Sequence, residues 1–193
     1  MRGSQSGDPG SAVIRMPEAP PAQIWRQSLQ TRDGRAFSIR PIGADDAQRD
    51  RDFLMRLSED SRYKRMMGIC RDPSPELIER LVHVDRHGSM AFVAVVGRPG
   101  TAESIIGAAR YAAVAGSQDA EFAIAVADEW QSRGVGSVLL RALLEYARSQ
   151  GLRRLQGVVL ANNGRMLEFA RKHAFVLRPV PGEYTQVEIT RDL

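Results

Sequence analysis

The chain has 193 residues, 43% hydrophobic and 26% charged, with a formal charge of +4, an ordinary globular composition long enough to bury a core without staples. Its single cysteine, Cys70, excludes an intrachain disulfide and a cysteine-built zinc site, and reads as a small buried or half-buried hydrophobe. The basic excess is too dispersed for a nucleic-acid face, no apolar run reaches the ~20 residues of a membrane span, and no apolar leader opens the chain, so the cytoplasm is the expected compartment.

Residues 1–35 are rich in Gly, Ser, Pro and Gln, as in "MRGSQSGDPGS" and "PEAPPAQ", and are expected to form a disordered tail that Ile24 and Trp25 could pin in part. Residues 36–193 then make up the folded domain. "AFSIRPIG" reads as a first strand stopped by Pro41 and Gly43. "ADDAQRDRDFLMRLS" follows as a helix with acidic residues in its first turn and Phe53, Leu54 and Leu57 on its buried stripe. A second short helix is expected in "SEDSRYKRMMG" with Ser58 as cap. A third lies in "SPELIERLVHVD", with Ser74 as cap and Pro75 at the first helical position. The period then changes. Three short apolar runs, "MAFVAVVG", "SIIGAARYAAVAG" and "AEFAIAVAD", predict an antiparallel meander.

A strong helix is expected from residue 134 to residue 150. Val135, Val138, Leu139, Ala142, Leu143, Tyr146 and Ala147 share one face, and Gly151 ends it. "RLQGVVL" is a buried strand, "NNGRMLEFARKH" a capped helix, and "AFVLRP" and "EYTQVEIT" two closing strands. The order is strand, three helices, three strands, helix, strand, helix, two strands. It implies an α+β or mixed α/β domain whose central, mostly antiparallel sheet of about seven strands is flanked by helices.

Gly134 and Gly136 stand one residue apart just before the strongest helix. Glycines there let backbone N–H groups approach an anion that the helix N-terminus favours. A nucleoside-triphosphate loop would need a Lys that Gly136-Ser137 lacks. A dinucleotide fingerprint would need a third glycine where Leu139 stands, and the segment "ADEWQSR" separates the strand from Gly134. The residues themselves leave two readings, a turn that only shapes the entry to a packed helix and a phosphate site.

"QSRGVG" fits Gln/Arg-x-x-Gly-x-Gly/Ala, and the chain from about residue 37 to residue 189 resembles the GNAT superfamily of acyl-CoA N-acyltransferases, where this motif is the coenzyme A pyrophosphate loop. A second segment, "VVLANNGRMLEFARKHAFV", resembles the family's later strand–helix–Phe motif, with Asn163 at the usual asparagine. "IRPIGADD", "LSEDSRYKRMMG" and "AEFAIAVADEWQSRGVG" look most like the acetyltransferase domain of Pat-type bacterial protein lysine acetyltransferases, whose larger members attach a second domain.

The resemblance implies acetyl-CoA as acyl donor and an amine acceptor, a protein lysine such as one on an acyl-CoA synthetase. It implies neither metal, nucleic acid nor membrane as partner, and a monomer or homodimer. The pantetheine arm would run along Ile124, Ala125 and Val126, with the Val126 N–H on the thioester oxygen. The N–H groups of Gln131, Ser132, Arg133, Gly134, Val135, Gly136 and Ser137 would hold the pyrophosphate, with Asn163 and Phe169 also against the coenzyme. The Arg133 side chain is either an added cation or a solvated surface group. Asn163 touches coenzyme or amine, or is a normal helix cap. Glu121 is the candidate general base, directly or through water; otherwise it is solvated or paired with Arg110. The chain departs from the family at two places. Ala170 stands where many members carry a Tyr acid, and Ala174 stands where a Gly usually precedes the motif's Phe. His83, His87 and His173 have no ligand spacing. Two other functions fit the sequence: acetylation of a small amine, and a coenzyme-binding module without turnover.

Overall fold

Alternation in "AFSIRP" buries every second residue of β2 (Ala36–Pro41) and so fixes which face of the sheet turns inward. The computed structural model describes residues 26–97 and 102–193, and within them the order of elements is the expected one with a strand added in front. That strand, β1 (Gln27–Gln30), lies inside the stretch whose composition predicts a tail; residues 1–25, with Ile24 and Trp25, lie outside the described residues. Its sequence, QSLQ, has no apolar alternation, because an edge strand needs only one neighbour's backbone and one anchoring side chain, here Leu29.

Three helices follow β2: α1 (Ala47–Arg56), entered through a short 3-10 turn, α2 (Glu59–Met66) and α3 (Pro75–Val82). Ser58 and Ser74 cap α2 and α3 by accepting from Ser61 N–H and Leu77 N–H, as their sequence positions predict. The meander is β3 (Ser89–Val96), β4 (Ser104–Ala113) and β5 (Asp119–Val126). After it come α4 (Val135–Ser149), β6 (Arg154–Leu160), α5 (Gly164–Lys172), β7 (Val176–Val180) and β8 (Glu183–Asp192). The eight strands are ordered β1-β2-β3-β4-β5-β6-β8-β7, antiparallel except at β5–β6.

Helix α4 crosses over between those two parallel strands and packs its apolar stripe on one face of β3 and β4, where Phe92, Tyr111 and Tyr146 meet. At Gly107 any Cβ would lie 3.1 Å from Leu139 and 3.2 Å from the Ala125 carbonyl oxygen, so the missing side chain is what lets α4 approach. On the other face α1 packs on β4 with α3 beside it, Arg110 donating to the Arg80 carbonyl, and α2 packs on β5. Between them Asp50 is nearly fully buried. Burial pushes its carboxyl up to about 6 against the pull of Arg65 and Arg110, and burial also pushes the Arg110 guanidinium down to about 10. A second buried acid, Asp46, is paired with Arg40 at 2.6 Å. Burial raises its pKa, but Arg40 and the Gly43 N–H outweigh that and leave it below the usual range. Beyond β5, among the described residues, no helix covers this face: Val158 on β6 and Val176 on β7 are each about half exposed (48% and 53%).

Candidate active site

β5 and β6 are opposed at only three positions, Asp119–Arg154, Ala120–Leu155 and Glu121–Gln156, and then diverge. The wedge between them opens a cleft of about 1050 Å³, walled by α2 on one side and by the start of α4 and α5 on the other. Ladder geometry determines what β5 offers to it. Ala127 N–H donates to the Ile106 carbonyl at 2.8 Å, which makes the neighbouring opposed pair Gly107–Val126 a non-hydrogen-bonded one. The Val126 N–H and C=O therefore aim away from β4, into the wedge. Ile124, two residues earlier, is oriented the same way. A strand edge carrying unpaired donors in a cleft is suited to an extended ligand with amide groups of its own.

At the deep end of this edge stands Glu121, in the last β5–β6 pair. Its carboxylate is exposed and lines the cleft. Among the described residues it has no hydrogen bond or ion pair, and Arg110, its neighbour on the same face, is engaged with Arg80 instead.

At the open end the turn into α4 takes the conformation that its glycine predicts. Gly134 sits at φ 98° and Ser132 at φ 61°, so two of three consecutive residues are left-handed. Among the described residues the N–H groups of residues 132–137 are not used by any backbone or side-chain acceptor outside the helix, and no side chain caps α4. With the dipole of a 15-residue helix behind it, this is an anion cradle.

The structure brings together Glu121, Ile124, Ala125, Val126, Gln131, Ser132, Gly134, Gly136, Ser137, Asn163 and Phe169 on the walls of one cleft. Two of the expected residues stand apart. Val135 has its side chain fully buried in the core, leaving only its N–H to the cradle. Arg133 turns its guanidinium away to an ion pair with Asp33, in the β1–β2 turn, and to the Glu129 carbonyl at 2.8 Å. Arg32 and Arg165 line the cleft in its place. Asn163 caps α5, accepting from Met166 N–H at 3.2 Å, so the cap reading of this residue is realised while it also faces the cleft. Ala170 is buried and brings no hydroxyl to the cleft. His173 hydrogen-bonds Ser137 Oγ at 2.9 Å, and burial, with Arg191 beside it, holds its pKa below the usual value.

The segment "SEDSRYKRMMG" is expected to form part of an acceptor wall, and it does line the cleft; the residues on β6 and β8 escape a reading based on motifs. Asp60, Ser61 and Lys64 come from α2, Gln156 from β6 and Glu188 from β8. Asp128 and Gln131 are cross-linked to their surroundings. Asp128 accepts from Ser58 N–H, Ser58 Oγ and Ser61 Oγ, and the Gln131 amide donates to the Val126 carbonyl while accepting from Arg165. A serine at each end of "SEDS" and an aspartate three residues before Gln131 are the only sequence signals, and neither specifies a partner some seventy positions away.

The acetyltransferase (GNAT) family matches residues 53–175. An acetyltransferase of Pseudomonas aeruginosa is 37% identical over 163 residues, which cover 84% of this chain and 86% of that protein. The acetyltransferase Pat of Mycolicibacterium smegmatis is 32% identical over 136 residues; these span 70% of this chain and 40% of Pat. Among solved structures, the GNAT domain of S. lividans PAT is similar at a TM-score of 0.80 and 30% identity, over 90% of this chain and 99% of that one.

Proposed function

Because the chain belongs to the acetyltransferase (GNAT) family, and so is an enzyme that draws its acetyl group from acetyl-CoA, we propose that it acetylates a protein lysine by direct attack in a ternary complex. The observation that carries this reading is the β5 edge: unpaired N–H groups at Ile124 and Val126, a free carboxylate at Glu121 below them and an anion cradle above. Pantetheine amides pair with the edge, and the diphosphate lies on the N–H groups of residues 132–137, the expected Gln131 N–H being already given to the Asp128 carbonyl at 3.3 Å, with Arg32 and Arg165 supplying the cationic side chains. The Val126 N–H donates to the thioester oxygen and strengthens as that oxygen gains charge.

The acceptor nitrogen is almost wholly protonated at neutral pH, its reference pKa being about 10.4. Glu121 takes that proton. Ile124 and Val126 lie roughly 10 and 16 Å along the strand at about 3.3 Å per residue, so a water relays it where the amine binds near them. The freed lone pair attacks the carbonyl carbon, the C–S bond breaks, and the departing coenzyme thiolate takes up the second proton, which the nitrogen loses as the amide forms. A thiol pKa of about 8–9 makes it a fair leaving group without a tyrosine acid at Ala170. Resemblance to the Pat-type enzymes favours a protein acceptor in the cytoplasm, and the uncovered sheet face beside the cleft leaves room for one.

Coenzyme A thiol release from acetyl-CoA, measured against acyl-CoA synthetases and a panel of small amines, tests the reading. Turnover is expected with a protein lysine, and Glu121→Gln is expected to lower kcat by roughly 10²–10⁴-fold with acetyl-CoA binding intact. Wild-type rates in that variant would remove Glu121 from the mechanism. Turnover with small amines alone would remove the protein acceptor.

A further inference from the structure

Helix α2 forms one wall of the cleft although none of its eight residues is buried. A helix this short is unstable on its own, and hydrophobic burial contributes little to holding it. Polar bonds position it instead. On one side Arg62 donates to the Met55 carbonyl at 3.2 Å; on the other stands Asp128, in the turn just after β5. Both carboxylate oxygens of Asp128 are committed to the start of α2: Oδ2 accepts from Ser58 N–H at 3.0 Å, and Oδ1 accepts from Ser58 Oγ at 2.9 Å and Ser61 Oγ at 2.6 Å.

The protons are fully accounted for. Ser58 Oγ donates to Asp128 and accepts from Ser61 N–H, and Ser61 Oγ donates to Asp128 and accepts from Gln131 Nε2 at 3.5 Å. Gln131 Nε2 also donates to the Val126 carbonyl at 2.9 Å, and Gln131 is the first residue of the phosphate turn. The bonds therefore run from Asp128 to Ser58 and Ser61 at the start of α2, from Ser61 to Gln131, and from Gln131 to the coenzyme edge of β5 and, through Arg165, to α5.

We propose that Asp128 is a positioning residue that latches α2 to the coenzyme loop, so that occupation of the loop also sets the acceptor-side wall. Asp128 spends three hydrogen bonds on Ser58 and Ser61, whereas the Glu121 carboxylate has no partner among the described residues, which separates their tasks. The latch stands on geometry alone; its link to the acceptor rests on the function proposed above.

Hydrogen–deuterium exchange of the full chain tests it, with wild type, Asp128→Ala and Asp128→Asn, each with and without acetyl-CoA. Without ligand, α2 amides in Asp128→Ala are expected to exchange roughly 10–100-fold faster than in wild type, as follows from losing hydrogen bonds to a charged group, while β3 and β4 amides stay as they were. Asp128→Asn, which keeps one acceptor oxygen, is expected to lie between the two. Acetyl-CoA is expected to slow α2 exchange in wild type and to leave it fast in Asp128→Ala. Equal α2 exchange in wild type and Asp128→Ala overturns the latch, and equal protection by acetyl-CoA in both overturns the coupling. Should Asp128→Ala fail to fold, Ser61→Ala removes one of the same hydroxyl donors from the other side while leaving the Ser58 cap of α2 in place, and is read by the same criteria. A calorimetric titration of wild type separates the two levels: no heat from acetyl-CoA sinks the proposed function, while exchange without ligand still decides the latch.

Discussion

From β1 to β5 the sheet is antiparallel, and β4 and β5 are opposed at seven consecutive positions; from β6 to β7 it is a second antiparallel piece, joined to the first by three parallel pairs. The first piece carries helices on both faces at β4 and β5, whereas the second carries one only on the α4–α5 side and leaves Val158 and Val176 to solvent. Stability is concentrated in the first, and the ligand-facing groups gather at the seam where the second departs from it. A strand edge without a partner is a cost in a folded protein unless something else binds it. In the function proposed above, the missing partner is the coenzyme.

The closed half hides an ionisable group, and the sharpest test of its closure is linkage. Asp50 has its folded-state pKa raised from 3.8 to about 6, so its contribution is neutral at low pH and unfavourable once the unfolded form has ionised. Stability of wild type relative to Asp50→Asn is therefore expected to fall by about 2.4 kcal/mol as pH rises from 4 to 7, at about 1.4 kcal/mol for each tenfold change in the acid constant, in denaturant melts at each pH. A flat difference would mean that water reaches this side of the sheet. Next in size is Gly107→Ala, expected to cost about 1–3 kcal/mol by forcing Leu139 and α4 off the sheet. A neutral result would show a looser helix–sheet contact than the geometry implies. The smallest effect belongs to the open half: Ala174, at φ 59°, is expected to gain about 0.5–1 kcal/mol when replaced by Gly, because a left-handed Ala costs more than the flexibility that Gly adds. A loss there would show that the turn before Phe175 has relaxed around its alanine.

That same turn illustrates what was legible beforehand. The departure from glycine at residue 174 suggests an altered turn, yet the backbone keeps the left-handed conformation and carries the strain. Elements with a strong period are found where their apolar residues place them: α4 occupies residues 135–149 and β3 residues 89–96. Strand β1 was illegible because QSLQ has no period, and a polar edge strand is specified by its neighbour rather than by itself. The site follows the same division. The turn at Gly134 and Gly136 stands out by its glycines before a strong helix, whereas Glu121 is singled out only by the resemblance to the family. The engagement of Arg133 with Asp33, across a hundred positions, and of Asp128 with two serines at the start of α2 depends on long-range packing that local sequence does not encode.

The outermost strands have a consequence of their own. One rim of the sheet is a run of only four residues, and the other, Val176–Val180, carries Pro179, which has no N–H to lend to a newcomer. Among the described residues neither border presents a long row of donors to a stray extended chain, so these two strands guard against growth by strand exchange even though Val158 and Val176 lie half bare.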